Sequence, residues 1–371
     1  MRRTHLAVLA AVAAGSLVLA GCGGDDDDTD SDGTTDEGSE ETPTVGVILP
    51  DSASSARWET ADRRFLEEAF EAAGVDYDIQ NAEGDTAKFQ TIADGMINAG
   101  VDALLIVNLD SETGGAVIGR ASSAGIPTID YDRLTLGGGA EYYVSFDNVA
   151  VGTAIGEGLV TCLQEDGVAE GDVVFLNGSP TDNNATLFKQ GYEAAITSAG
   201  YGVADDQSVP DWDNTQAGTI FEQIFTGTGG DFVGVAAAND GLGGAVISVL
   251  DRNGLAGQIP VTGQDATDEG LQRVLLGTQC MTVYKAIKKE ADAAAELAVL
   301  LANGDTAGAD ALATGSVDDT ESGEQVKSVL LEPQPIFADT VKDVVADGYT
   351  TAENLCTSEE LQAACAEFGV E

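Results

Sequence analysis

Histidine is nearly missing from this chain of 371 residues: the single one, His5, falls inside an N-terminal leader. That removes the usual general base, the nucleophile–histidine pair and the commonest metal ligand from the mature protein. Basic residues are also scarce, with 16 Lys and Arg against 64 Asp and Glu and a formal charge of −48. Nucleic-acid binding requires cations that displace phosphate counterions, so DNA, RNA and anionic membrane surfaces are excluded as partners. Such acidity is compatible with solubility at high salt, where screening relieves self-repulsion. Aromatics make up only 6% of the chain, and just two residues are tryptophan, Trp58 and Trp212. The one long apolar run, Leu6 to Leu19, is too short to span a bilayer.

That run follows Arg2 and Arg3 and ends in Leu19-Ala20-Gly21-Cys22. The pattern resembles the lipobox of secreted lipoproteins, in which the cysteine takes the lipid and becomes the mature N-terminus. Residues 1–22 are therefore expected to be a lipoprotein signal, with Cys22 as the lipidation site. Residues 23–43 are almost wholly Gly, Asp, Glu, Ser and Thr and are expected to form a disordered acidic tether. The chain would then sit outside the cytoplasm, on the outer face of the cytoplasmic membrane, touching the bilayer only through its anchor. Export permits disulfides, and four cysteines remain: Cys162, Cys280, Cys356 and Cys365. Three pairings exist; spacing favours 356–365 with 162–280. Oxidised cysteines cannot serve as thiolate nucleophiles.

From Thr44 onward, strand-like and helix-like segments alternate. Strands are expected at Val45–Leu49, Val75–Ile79, Ala103–Val107 and Pro127–Asp130, with amphipathic helices between them. The rhythm restarts with a helix over Val149–Leu163, followed by strands at Asp172–Leu176, Phe232–Ala236 and Ile259–Thr262. A strand at Met281–Tyr284, an Ala-rich helix from Ala286 to Leu301, a strand at Val326–Leu331 and a terminal helix at Glu359–Phe368 follow. Single cores stop growing near 250–300 residues, so two domains are expected. The expected fold class is α/β, with two doubly wound parallel-sheet lobes and a cleft between them.

Two short motifs carry little. Gly241-Leu242-Gly243 echoes a dinucleotide fingerprint but lacks the third glycine. Asp211, Asp213, Thr215 and Glu222 have calcium-loop spacing, yet Gln216 stands where the turn needs glycine. No cofactor and no metal are expected. What stands out is a set of polar and aromatic clusters just after strands, where open α/β sheets place ligands. They are Ser54-Ser55-Ala56-Arg57-Trp58, Asp130-Tyr131-Asp132-Arg133, Gly178 to Asn184, Asp211-Trp212-Asp213, Asn239-Asp240, Gly263-Gln264-Asp265 and Tyr284-Lys285. Helix capping explains Asp182 or Asn239 taken singly. It does not explain seven clusters, nor two tryptophans in loops where no core calls for them.

The segments ARWETADRR, TIDYDRL, YYVSFDNVAVG, GSPTDNNATLFKQG, AANDGLGGAV, GQDA and QCMTVYK carry a resemblance. They resemble the xylose-binding branch of the ribose/galactose class of periplasmic binding proteins, the type I fold that serves ABC importers. The likeness runs from about Thr44 to Gly348, although Asp319–Gln325 is loosely matched and the four cysteines depart from the pattern. It implies a non-enzymatic, monomeric receptor that closes over one sugar ring, D-xylose or similar, and delivers it to an ABC transporter permease. The implied ligand contacts are Arg57, Trp58, Arg133, Asp182, Asn184, Trp212, Asn239, Asp265 and Lys285. The implied lobes are 44–146 with 282–334 and 147–281 with 335–371, crossed near Ser145–Val149, Cys280–Val283 and Pro333–Ile336. Two rivals remain: a broader monosaccharide receptor feeding a sensor, and a secreted glycosidase working with paired carboxylates.

Overall fold

Apolar runs without alternation become strands covered on both faces, and such strands pair in parallel. The computed structural model describes residues 42–371. The leader, Cys22 and nearly all of the tether lie outside the described residues. β1 (Thr44–Leu49) is followed by one π-helical turn, Trp58–Asp62, which runs straight into α1 (Arg63–Ala73). Next come β2 (Asp76–Asn81), α2 (Thr86–Ala99), β3 (Ala103–Ile106), α3 (Ser111–Ala124), β4 (Thr128–Tyr131) and β5 (Tyr142–Phe146). The chain then enters α4 (Asn148–Glu165), β6 (Asp172–Asn177), α5 (Asn183–Ser198), β7 (Gly202–Ser208), α6 (Asn214–Thr228), β8 (Gly234–Ala237), α7 (Asp240–Arg252) and α8 (Asp268–Leu275). β9 (Thr282–Tyr284), α9 (Ile287–Ala302), α10 (Thr306–Leu312), β10 (Gly315–Asp318), β11 (Gln325–Leu331) and β12 (Gln334–Ile336) follow. Three short helices end the chain: α11 (Val341–Ala346), α12 (Ala352–Leu355) and α13 (Glu359–Phe368).

The first sheet has the order β10-β11-β5-β4-β3-β1-β2 and is parallel except for the β10–β11 hairpin. The second is β7-β6-β8, also parallel. β9 and β12 pair antiparallel where the chain crosses between the two halves. In both large sheets β3, β6 and β8 are buried along nearly their whole length. Burying one Val, Leu or Ile contributes about 1.5–3 kcal/mol, so these strands anchor each half. A smaller core gathers Leu271, Tyr284, Ile336, Val341, Leu355 and Leu361, which ties the C-terminal helices to the crossing.

The strand expectations need correction at several points. β2 begins one residue later than expected and runs to Asn81, alternating exposed and half-buried at the sheet edge. Ile259–Thr262 contributes only one bridge, Val235 to Val261, and forms no strand. The strand expected at Phe232–Ala236 is β8, displaced toward the C-terminus. β5, β7, β10 and β12 were not anticipated. β7 reads GVADDQS because it is an edge strand that buries no position fully, so it has no apolar signature.

Candidate functional site

The carboxyl ends of β1 and β4 on one side, and of β6, β7 and β8 on the other, turn toward each other. Between them lies a cavity of about 20 Å³, little more than room for one water. All nine residues expected at the site line it: Arg57, Trp58, Arg133, Asp182, Asn184, Trp212, Asn239, Asp265 and Lys285. Ser54, Ser55, Asp132, Phe188 and Gln264 complete the wall. A larger groove of about 620 Å³ lies outside, sharing Arg133, Asp182 and Trp212 with the inner cavity.

The first wall starts from the π turn. π-helical turns recur at functional sites because they rotate a side chain out of the ordinary helical register. Here the turn sets Arg57 and Asp62, five residues apart, side by side. The guanidinium donates to Asp62 through Nε and Nη2, both at 2.9 Å. Nη2 also lies 3.0 Å from Asp132 and 3.3 Å from Glu290 on α9, while Tyr131 donates its hydroxyl to Asp62 at 2.8 Å. Asp132 sits in the left-handed region, φ 62°. Its carbonyl accepts from Tyr143, Ser145 and Asn184, each at 2.9 Å, which holds that unfavourable conformation. Trp58 donates Nε1 to Ser54 Oγ at 3.0 Å, with the Arg57 guanidinium 4.2 Å from its ring centre.

The second wall is built from helix starts. Asp182 caps α5 by accepting from Asn184 N at 2.9 Å. Its other oxygen accepts from Trp212 Nε1 at 3.1 Å and forms an ion pair with Arg133 Nε, across the cleft, at 3.1 Å. Asn239 likewise caps α7 through Oδ1 and donates Nδ2 to the Ser54 carbonyl at 3.1 Å. The capping and ligand-facing readings thus both hold, one on each end of the same side chain. α5 reaches the cleft because α4 and α5 cross at glycines: a Cβ on Gly152 would stand 2.0 Å from the Phe188 carbonyl oxygen. A Cβ on Gly178 would stand 2.1 Å from the Trp212 ring, so only glycine lets the indole lie there. Trp212 and Asp265 are themselves left-handed, at φ 55° and 93°.

Both indoles are buried, Trp58 at 3% and Trp212 at 5% exposure, and both pack into the main core cluster as well as lining the cavity. The expectation that no core holds them is corrected here. Asn184 lines the cavity with its polar atoms engaged: Nδ2 by Asp132 and Oδ1 by Asn148 at 2.9 Å. Arg57 Nη1, Asp132 Oδ2, Asp265 Oδ1 and Gln264 Oε1 are buried with no hydrogen-bond partner. Asp265 Oδ1 has charge contacts alone, Lys285 Nζ at 3.2 Å and Arg57 Nη1 at 3.9 Å, and Lys285 stands 3.5 Å from Asp132. Native folds rarely bury such atoms without a hydrogen bond, and the four residues that bear them line one cavity.

Burial alone would push Asp132 up, but Arg57, Lys285 and Arg133 outweigh it and hold its carboxyl down at about 2. Burial opposes the charge on Arg57 too, yet Asp132 and Asp62 hold it protonated well above its ordinary value. Burial, aided by Asp132, drives Glu290 the other way, well above the usual carboxyl range. Asp62 and Glu290 were missed from the sequence. Their signal was a charge on an apolar helix stripe: Glu290 shares its face with Ile287, Ala291 and Ala294, all fully buried.

The two motifs set aside have structural roles. Asp213 caps α6, and Glu222 pairs with Arg252 on the surface. Gly241 and Gly243 lie in the first turns of α7. Among the described residues no three His, Cys, Asp or Glu side chains are placed to hold a metal. Cys162 is joined to Cys280 and Cys356 to Cys365, with Cα separations of 6.5 and 6.2 Å.

Two doubly wound sheets meeting over a polar cleft, crossed near Phe146, β9 and β12, define a type I periplasmic binding protein fold. A solute-binding protein of Chloroflexus aurantiacus in complex with D-glucose superposes with a TM-score of 0.73 at 24% identity, over 84% of this chain and 98% of its own. A second, from Clostridium phytofermentans with bound β-D-glucose, gives 0.73 at 25% identity, over 84% and 99%. The periplasmic binding protein domain profile matches residues 45–306. The chain is 34% identical to the D-xylose-binding periplasmic protein of Escherichia coli over 310 residues, 82% of this chain and 90% of that one. It is 30% identical to a multiple sugar-binding periplasmic protein of Azospirillum brasilense over 95% of this chain and 99% of that one. This chain belongs to the periplasmic binding protein family, whose members here are named as binding proteins and not as enzymes.

Proposed function

We propose that this chain is the extracytoplasmic receptor of an ABC importer for a single monosaccharide ring, D-xylose foremost, lipid-anchored through Cys22. The observation that carries the reading is a set of buried donor and acceptor atoms without hydrogen-bond partners, on residues that line one cavity together with two indoles. A pyranose has C–H faces that suit Trp58 and Trp212 and a hydroxyl rim that both donates and accepts. Three cations, Arg57, Arg133 and Lys285, stand against three anions, Asp132, Asp182 and Asp265. A balanced charge of this kind suits a neutral polyol and disfavours uronic acids and amino sugars. Hydrogen bonds to charged groups contribute about 1.5–3 kcal/mol each. A few of them, less the cost of ordering, reach the roughly −8 kcal/mol of a micromolar complex.

The cavity is smaller than a sugar ring, so entry requires the walls to part. Ser55 Oγ to Asp265 at 2.9 Å, Asn239 to Ser54, Arg133 to Asp182, Asn184 to Asp132 and Lys285 to Asp265 are among the contacts that must open. Sugar touching both walls then favours the closed form, which the permease can recognise. The lobes of this hinge motion are 44–146 with 282–334 and 147–281 with 335–371. Calorimetry over D-xylose, L-arabinose, D-ribose, D-glucose and D-galactose tests the reading, with strongest heat expected from xylose. No binding to any of them sinks it. Near-equal affinity across the panel would favour the broader receptor, a reading that the Azospirillum relative supports. Release of sugar from xylosides would point instead to a glycosidase.

A further inference from the structure

Three carboxyl groups converge on one nitrogen of Arg57, and they are not equivalent. Asp62 grips the Nε–Nη2 edge bidentately, and Asp132 reaches Nη2 from the cavity side. Glu290 touches Nη2 from behind, through Oε2 at 3.3 Å, and does not line the cavity. Its Oε1 is buried with no partner, and the side chain is fully inaccessible. Among the described residues it is the one glutamate buried to that degree. The groups that face it are Arg57 and Asp62 from the turn before α1, Tyr131 and Asp132 from β4 and its loop, Tyr143 from β5, and Lys285 ahead of α9; Asp265 stands against Arg57 and Lys285 in turn. Arg57 and Lys285, with Arg133 acting on Asp132, stand against Asp62, Asp132 and Asp265, so a charged Glu290 would be a fourth anion for three cations.

We propose that Glu290 is a protonated positioning residue for Arg57, and that sugar binding requires its proton. Asp62 is the anionic anchor that fixes the plane of the guanidinium. Neutral Glu290 accepts from Nη2 without drawing the cation back from the cavity, so that Nη1 stays presented to ligand. Loss of the Glu290 proton would pull Arg57 and Lys285 toward the interior and repel Asp132, dispersing the ligand-facing array. An unpartnered hydroxyl at Oε1 is tolerable in a buried site; a carboxylate oxygen there with no donor is far less so. Burial and Asp132 also raise the proton affinity of Glu290. The proposal rests on the sugar-receptor reading, and its test separates the two.

The experiment has two arms. In the first, protein labelled with ¹³C at glutamate side-chain carboxyls is titrated by NMR without ligand. One resonance is expected to keep the acid shift through neutral pH, and it should vanish in Glu290→Gln. In the second, D-xylose affinity is measured by calorimetry from acid to alkaline pH in wild type, Glu290→Gln and Asp62→Asn. Wild type should lose affinity at high pH with a limiting slope of about tenfold per pH unit, the signature of one linked proton. Glu290→Gln should bind within about threefold of wild type at neutral pH and lose that alkaline decline. Asp62→Asn should weaken binding by about tenfold or more at every pH, since it removes the anchor. The proposal is overturned if every glutamate carboxyl is ionised at neutral pH, which the wild type alone reports even if the variant fails to fold. It is also overturned if Glu290→Gln keeps the wild-type alkaline decline or loses binding at all pH values. A wild type that binds no monosaccharide defeats the sugar reading, and the Glu290 assignment then stands or falls on its resonance.

Discussion

On the first wall of the cavity the polar groups are held by buried counter-charges; on the second they are held by helix starts. Arg57 depends on Asp62, Asp132 and Glu290, three side chains brought to one nitrogen from separate elements. Asp182 and Asn239 are oriented by backbone N–H groups that would need a cap in any case. The difference teaches how rigidity is obtained. A charge network orients a guanidinium precisely where helical geometry offers nothing, but each member exposes the rest to an unpaired charge if it is lost. A cap uses structure that is already present, and its loss is local.

That contrast can be tested by unequal damage. Arg57→Leu should be the most severe change, because it leaves buried carboxyls uncompensated. We expect about 3–5 kcal/mol of lost stability in urea unfolding, together with loss of calorimetric sugar binding. A stable variant would mean that the first wall is not charge-held. Replacing both Cys162 and Cys280 by serine should cost about 2–5 kcal/mol of stability. Sugar affinity should stay unchanged, since this tie is outside both walls; a large affinity loss would show that the second wall depends on it. Trp212→Ala and Arg133→Ala should each lose measurable sugar binding while far-UV circular dichroism shows them folded. Unchanged affinity in both would refute the cavity as the site. The smallest effect belongs to Asp182. Asp182→Asn keeps an acceptor for the α5 cap, whereas Asp182→Ala removes it, so alanine should be less stable than asparagine by about 1 kcal/mol. Both should weaken binding by loss of the Arg133 pair. Equal unfolding midpoints for the two would deny the capping role.

Legibility in the sequence followed burial. β1, β3, β6 and β8 were readable because both faces of each are covered, which selects unbroken apolar runs. β7 and the far end of β2 lie at sheet edges, where solvent accepts GVADDQS as readily as any other segment. Ile259–Thr262 is apolar for a different reason: it covers β8 without continuing the ladder beyond one bridge. At the site, the residues in polar loops after strands were legible as a set, and the resemblance singled out nine that line one cavity. Asp132 and Gln264 stood in the same loops but were not singled out, because composition does not say which way adjacent side chains turn. Left-handed backbone at Asp132, Trp212 and Asp265 decides that, and none of these is glycine.

By itself the sequence determined the chemistry that is open to this protein: a histidine-poor, acidic α/β chain with charged and aromatic loops at strand ends, suited to holding a small hydroxylated ring. Only the tertiary structure decided which charges touch. A π turn brings Asp62 beneath Arg57, and α9, more than two hundred residues later, brings Glu290 against the same nitrogen. The reason is physical: hydrophobic periodicity specifies which face of a helix is buried, whereas the pairing of buried charges depends on distances of a few ångström between elements that only packing sets.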